Sequence, residues 1–170
     1  MQSIIFATNN QHKVEEIQSA IGHQVKVITL AEAGINIDIP EPHPTLEQNA
    51  SEKSATIKKL TGLDCFSEDT GLEVTCLDGE PGVLSARYAG DEKSFDKNID
   101  KLLDRMRGRA DRSARFRTVI SLIWRGEEHL FEGVCEGTIT HERIGRNGFG
   151  YDPVFLPNGT NRTFAEMDMS

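Results

Sequence analysis

The alternation of apolar and polar positions divides the chain into short elements. "SIIFAT" (3–8) is almost continuously apolar and predicts a buried strand, while "HKVEEIQSAI" (12–21) places Val14, Ile17 and Ile21 at helical spacing. The opening therefore reads strand, tight loop, helix. "VKVITL" (25–30) predicts a second strand. A proline-rich loop follows, "IPEPHPTLEQNA", in which Thr45 and Gln48 have capping-box spacing for a helix running to about Leu60. "GLEVTCL" (71–77) predicts a strand and "DGEPG" (78–82) a turn. In "SFDKNIDKLLDRM" the residues Phe95, Ile99, Leu102, Leu103 and Met106 form one helical stripe, expected to be core. "RFRTVISLIW" and "HLFEGVCEGTI", joined by "RGEE", predict a β-hairpin. The chain shows no internal repeat, linker or low-complexity segment.

Composition narrows the classes. At 170 residues the chain suits one compact domain that buries about two thirds of its unfolded surface. Cys65, Cys76 and Cys135 are odd in number and form no CxxC pair, so neither a disulfide framework nor a zinc site is suggested and a reducing compartment is the simplest setting. They read as buried apolar filler. The N-terminus has no basic, then apolar, leader, and no later run approaches the roughly 18 apolar residues of a membrane span. A cytoplasmic protein without a membrane partner is expected. A net charge of −8 argues against long nucleic acid, which needs a basic footprint. A small anionic substrate would need cations or a metal placed locally.

Three segments carry candidate chemistry. "TNNQHK", Thr8 to Lys13, lies at a strand-to-helix junction, where unpaired N–H groups, hydroxyl, amide and ammonium side chains suit a phosphate. It is not a P-loop, and it also reads as a helix cap with a solvated Lys13. "SEDTGLEV" contains Glu68 and Asp69. Consecutive strand side chains point oppositely, so both aim at one ion only if the chain turns, and Gly71 suggests such a turn. Magnesium takes one or two carboxylates with waters and substrate phosphates, so one of this pair plus Glu41 from the proline-stiffened loop suffices. Two solvated surface acids are the alternative, but the apolar flanks "LDCF" and "VTCL" put the pair at the edge of buried structure. "NGFGYDP" offers Phe149 and Tyr151 from a glycine loop to stack a nucleobase, with Asp152 near its edge. The alternative is a turn with two core aromatics. Arg87 is a phosphate contact or a structural ion pair. The five histidines show no metal-ligand spacing, and His12 alone lies beside a candidate site.

"TNNQHK", "SEDTGLEV", "EPGVLSARYAG" and "GFGYDPVF", in this order and spacing, resemble the inosine triphosphate pyrophosphatase family over nearly the whole chain. Its members hydrolyse noncanonical purine nucleoside triphosphates to monophosphate and pyrophosphate. The resemblance implies an α/β fold with a long twisted mixed sheet flanked by helices, two lobes with a substrate cleft, a homodimer, and Mg2+ as cofactor. It also implies roles. Thr8, Asn10 and Lys13 match T-x-N-x-x-K and would hold the triphosphate, with Asn9, Gln11 and His12 inside that motif. Asp69 matches the metal-binding proton acceptor, with Glu41 and Glu68 helping to hold the ion. Thr70 falls on a substrate contact, Lys53 on a lysine facing the phosphates, and Phe149, Gly150, Tyr151 and Asp152 on the base-binding loop. Family members continue past "FAEM" into a lysine and a Ser-His-Arg motif that grips the base, whereas this chain stops at Ser170. The expectation is a single domain, 1–170, lacking its C-terminal helix and separating ITP from ATP poorly. Two other readings stay open: a Maf-like nucleotide pyrophosphatase, distinguished by a substrate panel, and a non-catalytic nucleotide-binding module, distinguished by pyrophosphate release.

Overall fold

The computed structural model describes residues 2–168. The fold is α/β, with a seven-stranded mixed sheet and three α-helices. Strand β1 (Gln2–Phe6), helix α1 (Gln11–Ile21) and strand β2 (Val25–Ile28) form a β-α-β unit whose strands pair in parallel. Helix α2 (Leu46–Thr61) leads into β3 (Cys65–Val74), which pairs in parallel with β1. The short β4 (Pro81–Gly82) pairs with β3, and helix α3 spans Phe95–Arg105. Strands β5 (Ser113–Trp124), β6 (Glu127–Ile139) and β7 (Phe155–Pro157) complete the order β2-β1-β3-β5-β6-β7.

The chain divides into two compact units, residues 2–69 with 119–132, and residues 70–118 with 133–168. In the first unit the central strand β1 is buried on both faces, which is why "SIIF" does not alternate. Ile5 packs with Leu30, Ile57, Cys65 and Ile123, while Phe6 packs with Val14, Val27 and Phe66. The Phe6 and Phe66 rings stack with centroids 4.3 Å apart. In the second unit Ile99 and Leu102 of α3, with Met106 just past its end, join Leu72, Val74, Ile139, Val154 and Phe155.

Several expectations hold and some are corrected. Thr45 caps α2, accepting from the Gln48 amide at 3.2 Å, and the helix ends at Gly62 in the left-handed region. The hairpin connection is two residues rather than four: Arg125 and Gly126 both take positive φ, the twist a tight hairpin needs. Phe95 is not core but 42 % exposed, because α3 begins at it, directly after its cap Ser94. No turn follows the two acids. β3 runs unbroken through Glu68, Asp69 and Gly71, and the glycine serves a close approach instead: a Cβ there would lie 2.7 Å from the Gly82 carbonyl oxygen.

Candidate active site

Helix α2 brings polar groups to a buried stripe. Leu46, Asn49, Ala50, Lys53, Ser54 and Ile57 are all buried, at positions one helical face would fill with apolar residues. The Ser67 hydroxyl donates to the Ala50 carbonyl, which fixes β3 against this stripe. Lys53 Nζ is thereby brought to the Glu68 carbonyl oxygen at 2.6 Å and to Glu41 Oε1 at 3.4 Å. From α1, Lys13 Nζ reaches Glu68 Oε1 at 2.5 Å. Asp69 lies within hydrogen-bonding reach of Glu41. Five charged residues from three elements and a loop thus converge in the first unit.

Their charges do not cancel. Three carboxylates, Glu41, Glu68 and Asp69, meet two ammonium groups, Lys13 and Lys53. Glu68 and Asp69 are only 5 % and 4 % exposed, so the excess negative charge sits where water screens it weakly. Burial, reinforced by the Glu41 charge, pushes the Asp69 carboxyl up to about 7 against the pull of Lys53 and Lys13. Burial acts on Glu41 too, but Lys53 and Lys13 outweigh it and hold that carboxyl below its ordinary range. Burial alone would lower Lys13, whereas Glu68 and then Asp69 and Glu41 raise it. Asp69 Oδ2 is buried with no hydrogen-bond partner among the described residues.

A divalent cation fits this arrangement. Among the described residues no three His, Cys, Asp or Glu side chains gather as a metal set. Glu41 and Asp69 form a carboxylate pair, the number of protein ligands magnesium takes beside waters and substrate phosphates. Glu68 is the exception among the three acids proposed for the ion, since its Oε1 is directed at Lys13.

The Thr8 to Lys13 loop is built by local bonds. Thr8 Oγ1 accepts from the Asn10 amide at 3.0 Å, and Asn10 Oδ1 caps α1 through the His12 and Lys13 amides at 3.0 and 3.4 Å. Asn9 Nδ2 donates to the Ile37 carbonyl at 2.8 Å, tying this loop to the one that carries Glu41. Gln11 reaches Glu15 at 3.4 Å, and His12 is exposed. Capping is therefore real for Asn10, but Lys13 is not solvated: its side chain is 21 % exposed and ion-paired.

In the second unit, Thr70 shares a hydroxyl–hydroxyl bond of 2.7 Å with Thr118. The loop Asn147 to Asp152 closes on itself, with the Phe149 amide donating to Asp152 Oδ2 at 3.1 Å. Gly148 takes φ +74°, and a Cβ there would lie 2.1 Å from that oxygen, so the position admits only glycine. Burial pushes Asp152 up to about 6, against the Phe149 hydrogen bond. Phe149 is half-buried, its ring 6.2 Å from that of Phe95. Tyr151 belongs to the core, and its hydroxyl donates to the Ser85 carbonyl at 2.6 Å, so it supports the loop rather than offering a face. Arg87 lies in the single turn Ser85–Arg87, half-buried.

The model of the Ham1 family matches residues 4–170. The chain belongs to the Ham1 family. It is 48 % identical over 167 residues to a dITP/XTP pyrophosphatase of Christiangramia forsetii, covering 98 % of this chain and 88 % of that relative. To the dITP/XTP pyrophosphatase of Porphyromonas gingivalis it is 50 % identical over 168 residues, covering 98 % and 87 %. The solved Ham1 protein of Staphylococcus aureus superposes with a TM-score of 0.87 at 39 % identity, covering 98 % and 87 %. Both the family and the α/β mixed-sheet fold implied by the four motifs are borne out.

In this Ham1 chain the perturbed acid has a measurable consequence. A carboxyl whose folded value is raised stabilises the fold at low pH. For Asp69 that contribution is complete below its ordinary value near 3.8 and is lost as pH rises to about 7. Carbon-13 titration of the metal-free protein is expected to show one side-chain carboxyl moving near 7 that vanishes in Asp69→Asn. Titration of the Asp69 carboxyl below about 5, the ordinary range, would contradict the site.

Proposed function

We propose that this chain hydrolyses ITP, dITP and XTP to the nucleoside monophosphate and pyrophosphate, with Mg2+ held by Glu41 and Asp69. The observation that carries the proposal is the pairing of half-buried Glu41 with buried Asp69 and two lysines around them, on a chain whose relatives are dITP/XTP pyrophosphatases. Triphosphate hydrolysis brings strong negative charge to a site and needs a base for water. Lys13 and Lys53 answer the first need and Asp69 the second. Water attacks phosphorus in the α–β anhydride, its proton passes to Asp69 Oδ2, and the phosphorus–oxygen bond breaks with its electrons leaving on pyrophosphate. Magnesium, when bound, supplies Lewis acidity to the phosphoryl oxygens. Raised toward neutrality, Asp69 is a stronger base than an ordinary aspartate, yet ionises at physiological pH.

Glu68 acts by holding Lys13, and Thr8 to Lys13 form the triphosphate loop. Phe149 and Gly150 receive the base, while Tyr151 and Asp152 keep the loop in shape. The family resemblance supports a cytoplasmic homodimer. No helix among the described residues is long and apolar enough to cross a membrane.

The metal assignment is tested by Glu41→Gln. Its half-maximal magnesium concentration for ITP hydrolysis is expected to rise by at least the roughly 10–100-fold that loss of a ligand's supporting partner costs. An unchanged magnesium titration would leave Glu41 as a loop residue only.

A further inference from the structure

Glu41 stands in "IPEPHP", between Pro40 and Pro42, with Pro44 beyond His43. Proline has no backbone N–H, so between Pro40 and Pro44 only Glu41 and His43 can donate from the main chain. A loop with so few donors cannot fix itself by its own hydrogen bonds. The structure supplies the fixing from α2. Asn49, completely buried, accepts from the His43 amide at 2.9 Å and donates to the His43 carbonyl at 3.3 Å. Both ends of its carboxamide are thus on one residue of the loop, two positions from Glu41. One helical turn further along the same face, Lys53 meets the Glu41 carboxylate. On the other side of Glu41, Asn9 holds the Ile37 carbonyl. The His43 ring also meets Glu52, at a half-exposed position where the contact is weaker.

We propose that Asn49 is a positioning residue for the reaction: it sets the distance between Glu41 and Asp69 by clamping the His43 backbone, and so determines metal affinity without touching metal or substrate. This rests on the reading of Glu41 as a metal ligand. The clamp needs an amide of this length. Aspartate can accept from the His43 amide but cannot donate to its carbonyl, and alanine can do neither. Two rigid anchors make a two-carboxylate site stiffer than a proline loop alone would be, and stiffness suits an ion that demands near-ideal geometry.

The test combines calorimetric binding of magnesium to the folded protein with magnesium titrations of ITP hydrolysis. Asn49→Ala and Asn49→Asp are each expected to weaken magnesium binding roughly 10–100-fold, as loss of a ligand's supporting partner does, while turnover at saturating magnesium stays close to the parent's. In a Glu41→Gln background Asn49→Ala should weaken magnesium no further, because its effect passes through Glu41. Ile57→Val, a buried change on the same helix, is the control that lowers stability without moving magnesium affinity. If Glu41→Gln itself leaves magnesium binding unchanged, the ligand assignment fails and this inference with it. A Glu41→Gln loss with unchanged binding in both Asn49 variants overturns the positioning role alone. A full further loss in the Glu41→Gln background overturns it too. So does failure of both Asn49 variants to fold where Ile57→Val folds, since Asn49 would then serve the fold and not the site.

Discussion

Asp69→Asn is expected to lower turnover by roughly 10²–10⁴-fold, the range for loss of a general base, while the melting temperature at neutral pH stays unchanged or rises. The two halves of that expectation have one cause. Asp69 is buried beside Glu41, and its ionised form is disfavoured by burial first and by that neighbouring charge second. Asparagine keeps the shape and can still donate to Glu41, but it carries no charge to desolvate, so the fold loses an unfavourable term above pH 7. The same replacement puts an amide where the proposed mechanism sends the water's proton and removes one of the two proposed metal ligands. A change that helps the fold and abolishes the reaction separates catalysis from packing. Near-normal turnover in the folded variant, or a collapse of melting temperature matching the collapse of activity, would contradict the role given to Asp69.

Lys13→Ala has the second large effect, and the structure changes what is expected of it. An exposed lysine contributes little to folding, but Lys13 is paired with a buried glutamate. Removing it breaks the ion pair to the buried Glu68, which costs up to roughly 3–5 kcal/mol for a buried pair. Stability and activity should therefore both fall in the single variant. Lys13→Ala with Glu68→Gln removes both charges of the pair. Its melting temperature is expected to recover most of the loss, while hydrolysis stays depressed by roughly 10²–10³-fold, the cost of losing one group that stabilises developing charge. Recovery of activity along with melting temperature would make the pair structural and take Lys13 out of phosphate binding.

Much of this was legible in the sequence because it depends on local patterns. The β-α-β opening follows from "SIIFAT" and the spacing of Val14, Ile17 and Ile21, and the start of α2 follows from Thr45 and Gln48. Glu41, on its proline-stiffened loop, was a candidate partner for the strand acids, since magnesium takes one or two carboxylates beside waters and substrate phosphates. What the sequence hid are contacts between residues far apart in the chain. Nothing near Lys13 announces that its partner is Glu68, and Gly71 looked like a turn when it is a point of close backbone approach. Tyr151 shows the same limit: one aromatic in a glycine loop faces the core and its neighbour Phe149 does not. Asn49 did leave a signal. Together with Lys53 and Ser54 it occupies positions on α2 where the spacing of Leu46, Ala50 and Ile57 calls for apolar residues. Polar side chains on a buried stripe must find partners, and here those partners are the Glu41 loop for Asn49, that loop and strand β3 for Lys53, and Ser121 of β5 for Ser54.

The most direct measurement of the central claim is product identification. The protein would be incubated with magnesium and ITP, dITP or XTP, and the products followed by phosphorus NMR. The account predicts nucleoside monophosphate and pyrophosphate appearing in equal amounts, with magnesium required and Asp69→Asn nearly inactive. Orthophosphate and nucleoside diphosphate as first products, or binding of these nucleotides without turnover, would contradict it.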